Sequence, residues 1–114
     1  MATKIRPFTG VTEYIFDGRY VRDFSRHILY ELDGPYVRDF SRSIVYKLDG
    51  NRIRDFYSKI LYTFDGQTLR SFSGEILLRV DGRYIRSFFQ EILYVVEGDP
   101  LSQHEWMALL AILA

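Results

Sequence analysis

The sequence has no cysteine, only three prolines and no excess of either charge. Without cysteine the chain can form no disulfide, thiolate nucleophile or Cys-ligated zinc site, and this composition suits a reducing compartment. We therefore expect a cytoplasmic location, with peripheral membrane association as the alternative. Fifteen basic residues balance fifteen acidic residues, so no nucleic acid is expected as a partner. No apolar run reaches the ~18 residues of a membrane span, and the N-terminus has no signal-peptide pattern.

The residues that are present indicate a folded chain with an internal repeat. Hydrophobic residues make up 47% of the sequence and aromatic residues 17%, which predicts a single folded domain over residues 1–114. All eight glycines fall in one phase of an eight-residue period: Gly10, Gly18, Gly34, Gly50, Gly66, Gly74, Gly82 and Gly98. Twelve such octads occupy residues 4–99 and alternate in type, so the complete repeat has sixteen residues and occurs six times.

Each octad predicts one short strand followed by a turn. Asp-Gly or Glu-Gly closes every second octad, and this dipeptide between β-rich runs favours a type I′ hairpin turn, in which both central residues have positive φ. In the other octads Arg26, Arg42, Ser58 and Gln90 replace glycine, which predicts looser turns. The pattern therefore predicts twelve antiparallel strands in sequence order.

The alternation along the strands predicts which face is buried. One face collects Ile28, Tyr30, Leu32 and Val37 and their equivalents, and the other collects one arginine per repeat together with the equivalents of Leu29. A β-solenoid would bury these arginines unpaired, so it is the less favoured arrangement. On the buried face, tyrosine–carboxylate hydrogen bonds are expected from Tyr14, Tyr30 and Tyr46 to Asp23, Asp39 and Asp55.

After Gly98 the repeat stops, and the sequence predicts a helix over residues 102–114. Ser102 and Glu105 form a capping-box pattern, and Trp106–Ala114 is apolar on every side, so the helix, Trp106 included, must be buried. An open single-layer meander leaves two strand edges and covers only one side of such a helix. A closed sheet of twelve strands has no edges and a space that the helix fills. The prediction is an all-β repeat protein: a twelve-stranded antiparallel up-and-down barrel around a hydrophobic C-terminal α-helix.

The six hairpins of residues 4–99 and the helix Trp106–Ala114 resemble a known barrel architecture. In the tubby-like, phospholipid scramblase and LURP-one-related superfamily, twelve antiparallel strands wrap around a hydrophobic C-terminal helix. The resemblance covers nearly the whole chain as architecture, and no signature peptide carries functional residues across. It implies association with membrane lipid or phosphoinositide, or another binding role.

Two sets of outward-facing residues are the candidate binding sites. The basic set would bind an anionic group, and it combines arginines about 10 Å apart with cations of the rim opposite the Asp-Gly turns. Its members are Arg22, Arg38, Arg54, Arg70, Arg86, Arg26, Arg42 and Lys59. The apolar set is a belt formed by Phe24, Phe40, Phe56 and Phe72 with the equivalents of Leu29. A solvated arginine face and partly covered rings are the alternative interpretation.

No catalytic pattern accompanies these residues. The sequence has no nucleophile elbow, P-loop, paired histidines or dinucleotide fingerprint, and the Asp-Gly turns lack the ligand spacing of a calcium loop. We expect no enzyme activity, metal or cofactor. The expected function is a binding or structural module for a protein partner or for self-association. The alternative is binding of anionic lipid or phosphoinositide through the basic rim and the arginines.

Overall fold

The computed structural model describes residues 3–11 and 13–114, which form twelve short strands followed by one helix. The strands are β1 (Thr3–Pro7), β2 (Tyr14–Phe16), β3 (Tyr20–Asp23), β4 (Ile28–Asp33), β5 (Tyr36–Asp39), β6 (Ile44–Asp49), β7 (Arg52–Arg54), β8 (Ile60–Phe64), β9 (Thr68–Ser71), β10 (Ile76–Asp81), β11 (Tyr84–Arg86) and β12 (Ile92–Gly98). The helix α1 is Gln103–Leu113. Hairpins 1 to 6 are the pairs β1–β2, β3–β4, β5–β6, β7–β8, β9–β10 and β11–β12.

The sheet closes into a barrel. Each strand pairs antiparallel with its neighbours in sequence, and β1 also pairs with β12, with Thr3 opposite Gly98 and Pro7 opposite Tyr94. The buried Thr3 hydroxyl donates a hydrogen bond to the Asp99 carbonyl at 2.9 Å, which ties the start of the barrel to the segment that leads into α1. The predicted twelve-stranded barrel is confirmed, and the open meander and the solenoid are wrong. The molecule measures 35 × 34 × 19 Å, so the barrel is a broad, shallow ring.

The barrel has two chemically different ends, which we name by their turns. The Asp-Gly end carries the turns between successive hairpins and Glu97-Gly98. The aromatic end carries the turns within the hairpins: residues 8–11 and 13, 24–27, 40–43, 56–59, 72–75 and 88–91.

Three layers of wall side chains surround α1. The middle layer is Ile5, Val21, Val37, Ile53, Leu69 and Ile85; the layer nearer the Asp-Gly end is Phe16, Leu32, Leu48, Phe64, Val80 and Val96; the layer nearer the aromatic end is Tyr14, Tyr30, Tyr46, Tyr62, Leu78 and Tyr94. Within α1, five consecutive residues, Met107 to Ala111, are buried. Burial on every side of a helix requires enclosure, so α1 lies inside the wall. Its 11 residues span about 16 Å, close to the 19 Å height of the ring.

The first turn of α1 lies at the Asp-Gly end. The predicted capping box is present: the Ser102 hydroxyl accepts from the Glu105 backbone N–H at 3.1 Å, and the Glu105 carboxylate accepts from the Ser102 N–H at 2.9 Å. The Nε2 atom of His104 lies 2.7 Å from the Gly34 carbonyl oxygen of a nearby turn. Trp106 is only half-buried, beside Arg83 and Val96. At the other end of the apolar segment Ile112 and Leu113 are half-buried and Ala114 is exposed, so the prediction that the whole segment is buried was wrong at both of its ends.

The Asp-Gly turns differ from the predicted type. Asp33 and Tyr36 are a cross-strand pair, so the two central residues are Gly34 and Pro35 rather than Asp33 and Gly34. Gly34 has a φ of +58°, whereas proline is confined to negative φ. A glycine with positive φ at the first central position is the type II′ arrangement, so the predicted type I′ turn is wrong here.

The turns inside the hairpins are three-residue loops that end in a left-handed residue. In hairpin 2 the Asp23 N–H donates to the His27 carbonyl at 3.1 Å, and the Arg26 N–H donates to the Asp23 carbonyl at 3.0 Å. The left-handed residues Arg26, Arg42, Ser58 and Gln90 have φ of 69° to 71°, and Gly74 occupies the same position with a φ of 93°. Four hairpins therefore hold a side chain where backbone geometry favours glycine.

We expect Gln90→Gly to raise the free energy of unfolding by about 0.5–1 kcal/mol, because relief of left-handed strain exceeds the added entropy of the unfolded chain. Urea denaturation followed by circular dichroism measures this change. The matched reverse substitution, Gly74→Gln, should lower stability by a similar amount. Unchanged stability in both variants would contradict the assignment of strain to this position.

A β-bulge moves several apolar side chains relative to the predicted faces. In hairpin 2, Val21 lies opposite Tyr30 while Arg22 lies opposite Ile28, so Leu29 is an extra residue. Ile28 is consequently on the outer wall beside Arg22 and is 41% exposed, not buried as predicted. The equivalents of Leu29 were expected to face outward, but Leu77 and Leu93 pack against the core. The same shift occurs in hairpins 3, 4, 5 and 6.

Candidate functional site

One arginine per hairpin lies on the outer wall, and these six residues form what we call the arginine ladder: Arg6, Arg22, Arg38, Arg54, Arg70 and Arg86. The guanidinium group of each arginine is hydrogen-bonded to another residue of the barrel. Arg38 donates from Nε to Asp33 at 3.1 Å and from Nη1 to the Arg42 carbonyl at 3.0 Å, and its guanidinium lies 5.5 Å from the Tyr36 ring centroid. Its hydrogen bonds therefore connect the turns at both ends of one strand.

The same contacts recur around the ring. Ladder arginines pair with carboxylates of the Asp-Gly end in Arg6–Glu97, Arg22–Asp17, Arg54–Asp49 and Arg86–Asp81, and Arg70 donates to the Gly74 carbonyl. The hydrogen bond from Arg6, at 2.6 Å, lowers the pKa of the Glu97 carboxyl below its ordinary value. The carboxylates of the Asp-Gly end are thus neutralised locally, and the ladder stabilises the hairpins that carry them.

A buried carboxylate on the outer wall was missed by the sequence analysis. Glu31 is 3% exposed, and its two oxygens lie 2.7 Å from Arg19 Nε and 3.7 Å from Arg42 Nη1. Arg42, a candidate of the basic rim, is therefore partly engaged within its own chain. The equivalent positions in the other hairpins are Ile15, Lys47, Thr63, Arg79 and Val95, so no repeated signal marked this residue.

The rim at the aromatic end is not basic, contrary to the expectation from sequence. Its predicted cations Arg26, Arg42 and Lys59 do lie together, on hairpins 2, 3 and 4. Asp23, Asp39 and Asp55 directly precede the same three turns, and hairpins 5, 6 and 1 carry Glu75, Glu91 and Glu13. Three cations therefore face six carboxylates, and the rim divides into a half with protruding cations and a half with glutamates only.

The aspartates at the start of these turns accept hydrogen bonds from their own turns rather than from the tyrosines. Asp39 accepts hydrogen bonds from the Ser41 hydroxyl at 2.7 Å and from the backbone N–H groups of Ser41 and Ser43. These bonds, the hydroxyl first, lower the pKa of the Asp39 carboxyl. Asp23 likewise accepts from the His27 N–H, which lowers its pKa. The predicted hydrogen bonds to Tyr14 and Tyr30 are replaced by these local bonds, because the three-residue loop presents its N–H groups at shorter range.

Large exposed apolar side chains concentrate at the aromatic end. Ten such side chains are exposed among the described residues, and all ten belong to this end: Phe8, Val11, Phe24, Ile28, Phe40, Phe56, Tyr57, Phe72, Phe88 and Phe89. Six of them, one per hairpin, are equivalent by the repeat and form what we call the Phe ring: Phe8, Phe24, Phe40, Phe56, Phe72 and Phe88. Phe24 is 73% and Phe40 78% exposed. All four phenylalanines of the predicted belt are therefore accessible.

The Phe ring continues onto the outer wall and towards the barrel interior. Phe56 lines an open notch with Ile44 and Arg42 of the preceding hairpin, and Phe88 lines an equivalent notch with Ile76. On the inner side, five half-buried tyrosines occupy the layer nearest this end. Burial raises the pKa of Tyr46, so the phenol stays protonated at neutral pH. The aromatic end thus presents an exposed phenylalanine on every hairpin, beside the charged residues of the rim.

Other site classes receive no support from the described part of the chain. Residues 3–11 and 13–114 contain no group of three or more potential metal ligands. Within the same ranges, no helix has the length and apolar character needed to cross a membrane.

Comparison with known proteins corrects the resemblance drawn from the sequence. No curated protein and no solved structure matches the chain. A family model described as a 6-fold beta flower protein matches residues 10–114, and its six-fold character fits the six hairpins. The assignment to the tubby-like, scramblase and LURP-one-related superfamily is wrong, since it rested on strand number and a central helix alone. The chain belongs to the 6-fold beta flower protein family.

Proposed function

We propose that this protein is a non-catalytic binding module and that the aromatic end is its binding surface. The observation that supports this proposal is the confinement of all ten exposed large apolar side chains to one end of the ring. An apolar surface of this kind on a soluble domain is typical of an interaction site. The Asp-Gly end, by contrast, presents charged turns whose arginines and carboxylates neutralise one another.

The size of the apolar surface supports the same proposal. With roughly 150–250 Å² per aromatic side chain, the exposed parts of the Phe ring, Tyr57 and Phe89 amount to on the order of 1,000 Å². The largest apolar patch of a monomeric protein is typically about 300–600 Å². A stable interface buries about 800 Å² on each partner. The exposed aromatic area is therefore in the range of an interface.

Site-specific crosslinking tests this proposal. Replacing Phe40 by the photoreactive analogue p-benzoylphenylalanine preserves an aromatic ring at an exposed position, and the matched control replaces exposed Gln67 at the Asp-Gly end. We expect irradiation in the native cells to give discrete adducts from position 40 and none from position 67. Adducts should disappear when Phe24, Phe56 and Phe72 are changed to serine. The same adducts from both positions, or none from position 40, would contradict the proposal.

Binding of anionic lipid is a second candidate, supported by one observation. On hairpins 2 to 4 the exposed cations Arg26, Arg42 and Lys59 lie beside exposed phenylalanines, a combination found in proteins that bind the membrane interface. The six rim carboxylates oppose it, so we rank it second. Flotation with phosphatidylglycerol vesicles tests it: binding that is lost in Arg26→Gln/Lys59→Gln and absent with phosphatidylcholine would support this candidate.

A further inference from the structure

We propose that the aromatic end docks onto the aromatic end of a second copy of this chain, about a two-fold axis in the plane of the Phe ring. This inference rests on the proposed binding function and names the partner. In such a dimer the same surface is used twice, so each contact between two different residues occurs in two copies. Three properties of the aromatic end support it: its shape, its charge distribution and its unpaired charges.

The shape of the surface favours a copy of itself. The six equivalent phenylalanines lie at corresponding positions of six hairpins, so they form a ring around one end of a molecule that is 35 × 34 Å across. A partner of different symmetry would contact one sector of this ring, whereas a second copy has the same diameter and engages all of it. The exposed aromatic area, on the order of 1,000 Å² per copy, is what a stable dimer requires.

The charge distribution on the rim is self-complementary. Hairpins 2, 3 and 4 carry Arg26, Arg42 and Lys59, and hairpins 1, 6 and 5 carry Glu13, Glu91 and Glu75. A two-fold axis that passes between hairpins 4 and 5 places hairpin 4 on hairpin 5, hairpin 3 on hairpin 6 and hairpin 2 on hairpin 1. This single operation places each hairpin that carries one of these cations opposite a hairpin of the other copy that carries one of these glutamates.

The residues nearest this axis are available for contact. No ion pair joins Lys59 or Glu75 to another described residue, whereas the carboxylates of Asp39 and Asp55 are occupied by N–H groups of their own turns. Because the rim carries more carboxylates than cations, a flat anionic membrane would be repelled by hairpins 5, 6 and 1. A second copy instead offers a cation to each of those glutamates, so it is the favoured occupant over a lipid surface.

Charge reversal in separate chains tests the dimer. Lys59→Glu should make the contact with the second copy's Glu75 repulsive, and Glu75→Lys should make the contact with the second copy's Lys59 repulsive. Because each contact occurs twice, each variant alone should weaken dimerisation by about tenfold or more. Mixing the two variants restores an opposite pair at both contacts, so the mixture should dimerise as the unmodified chain does. Contacts within one chain cannot be restored by mixing.

Sedimentation equilibrium from about 1 to 100 μM provides the readout, since a complex with a Kd of ~1 μM is almost fully formed at the upper concentration and one with a tenfold higher Kd is mostly dissociated at the lower. We expect a mass of about 27 kDa, twice the 13.5 kDa of the chain, for the unmodified protein and for the mixture. Arg52→Glu, at the Asp-Gly end, makes the same change in net charge and should remain dimeric. Circular dichroism verifies that each variant is folded.

Two results would overturn the inference. One is a monomeric unmodified chain, and the other is a dimer that the reversals do not weaken or that mixing does not restore. A monomeric chain that still gives adducts from position 40, or floats with vesicles, would exclude the second copy while leaving the aromatic end as a binding surface. Failure of the inference and failure of the proposed function are therefore distinguishable.

Discussion

Replacing Leu110 by aspartate is expected to abolish the folded barrel. Leu110 is fully buried within the run of five consecutive buried helix residues, and the surrounding wall consists of apolar side chains. The carboxyl there must either remain ionised without a partner or take up a proton, and in both cases the packing of the leucine is lost, so the cost is comparable with the about 5–15 kcal/mol of stability that a domain of this size has. Without α1 in place, the twelve-stranded wall has no core of its own, so we expect an aggregating chain without a cooperative thermal transition.

Two control variants separate loss of the helix contact from other effects. Leu110→Met keeps the volume and should cost less than about 1.5 kcal/mol. Gln103→Asp introduces the same charge in the exposed first turn of α1, where the helix dipole favours it, and should leave stability unchanged or slightly higher. Thermal melts followed by far-UV circular dichroism measure all three. A Leu110→Asp chain that melts cooperatively near the temperature of the unmodified protein would show that α1 is not part of the core.

The positions of the glycines were sufficient to predict the strands and their order, because a turn every eight residues leaves room only for short antiparallel strands. The closed barrel followed from the apolar segment after Ser102, which no open sheet can cover. The turn type did not follow, since Asp-Gly does not indicate which two residues of the turn are central. Pro35 indicates which residues are central: proline cannot adopt positive φ, so Gly34 has to be the first central residue.

The bulges were not predictable because both residues involved are apolar. Ile28 and Leu29 satisfy the buried position equally well as a pattern, and a single extra residue exchanges their faces. The exposed phenylalanines, by contrast, lie in turns, where the bulge does not affect them. For this reason the four phenylalanines of the predicted belt are exposed as expected, whereas Leu77 and Leu93 pack against the core.

The electrostatics of the rim was misjudged for a related reason. Asp23 and Asp39 were assigned to tyrosines on the inner face, although a three-residue loop has N–H groups that an aspartate at its start satisfies directly. With these aspartates left out, Arg26, Arg42 and Lys59 alone predicted a basic rim. The division of the rim into a half with cations and a half with glutamates follows only from the closed ring. Glu13 and Glu91 are distant in sequence, but closure of the barrel makes their hairpins neighbours.

The wall repeats six times, yet the helix inside it has no such symmetry, so the wall must depart from its repeat where the helix requires it. In the layer nearer the Asp-Gly end, Phe16 and Phe64 lie three hairpins apart, on opposite sides of α1. The helix approaches β6 closely, and there the equivalent residue is the smaller Leu48. Val96, smaller still, lies beside Trp106. The size differences between equivalent wall residues therefore determine how α1 is positioned inside the barrel.

Phe64→Ala is accordingly expected to lower the free energy of unfolding by about 3–5 kcal/mol, because Phe64 is 1% exposed and the ring it removes leaves a cavity against α1. The decisive comparison is the exchange Phe64→Leu/Leu48→Phe, which keeps the composition of the layer and moves the large ring by one hairpin. We expect this exchange to cost about 2–5 kcal/mol in urea denaturation, from a cavity on one side and a ring forced against the helix at β6 on the other. A neutral exchange would mean that the six wall positions are equivalent and that α1 has no fixed rotation within the barrel.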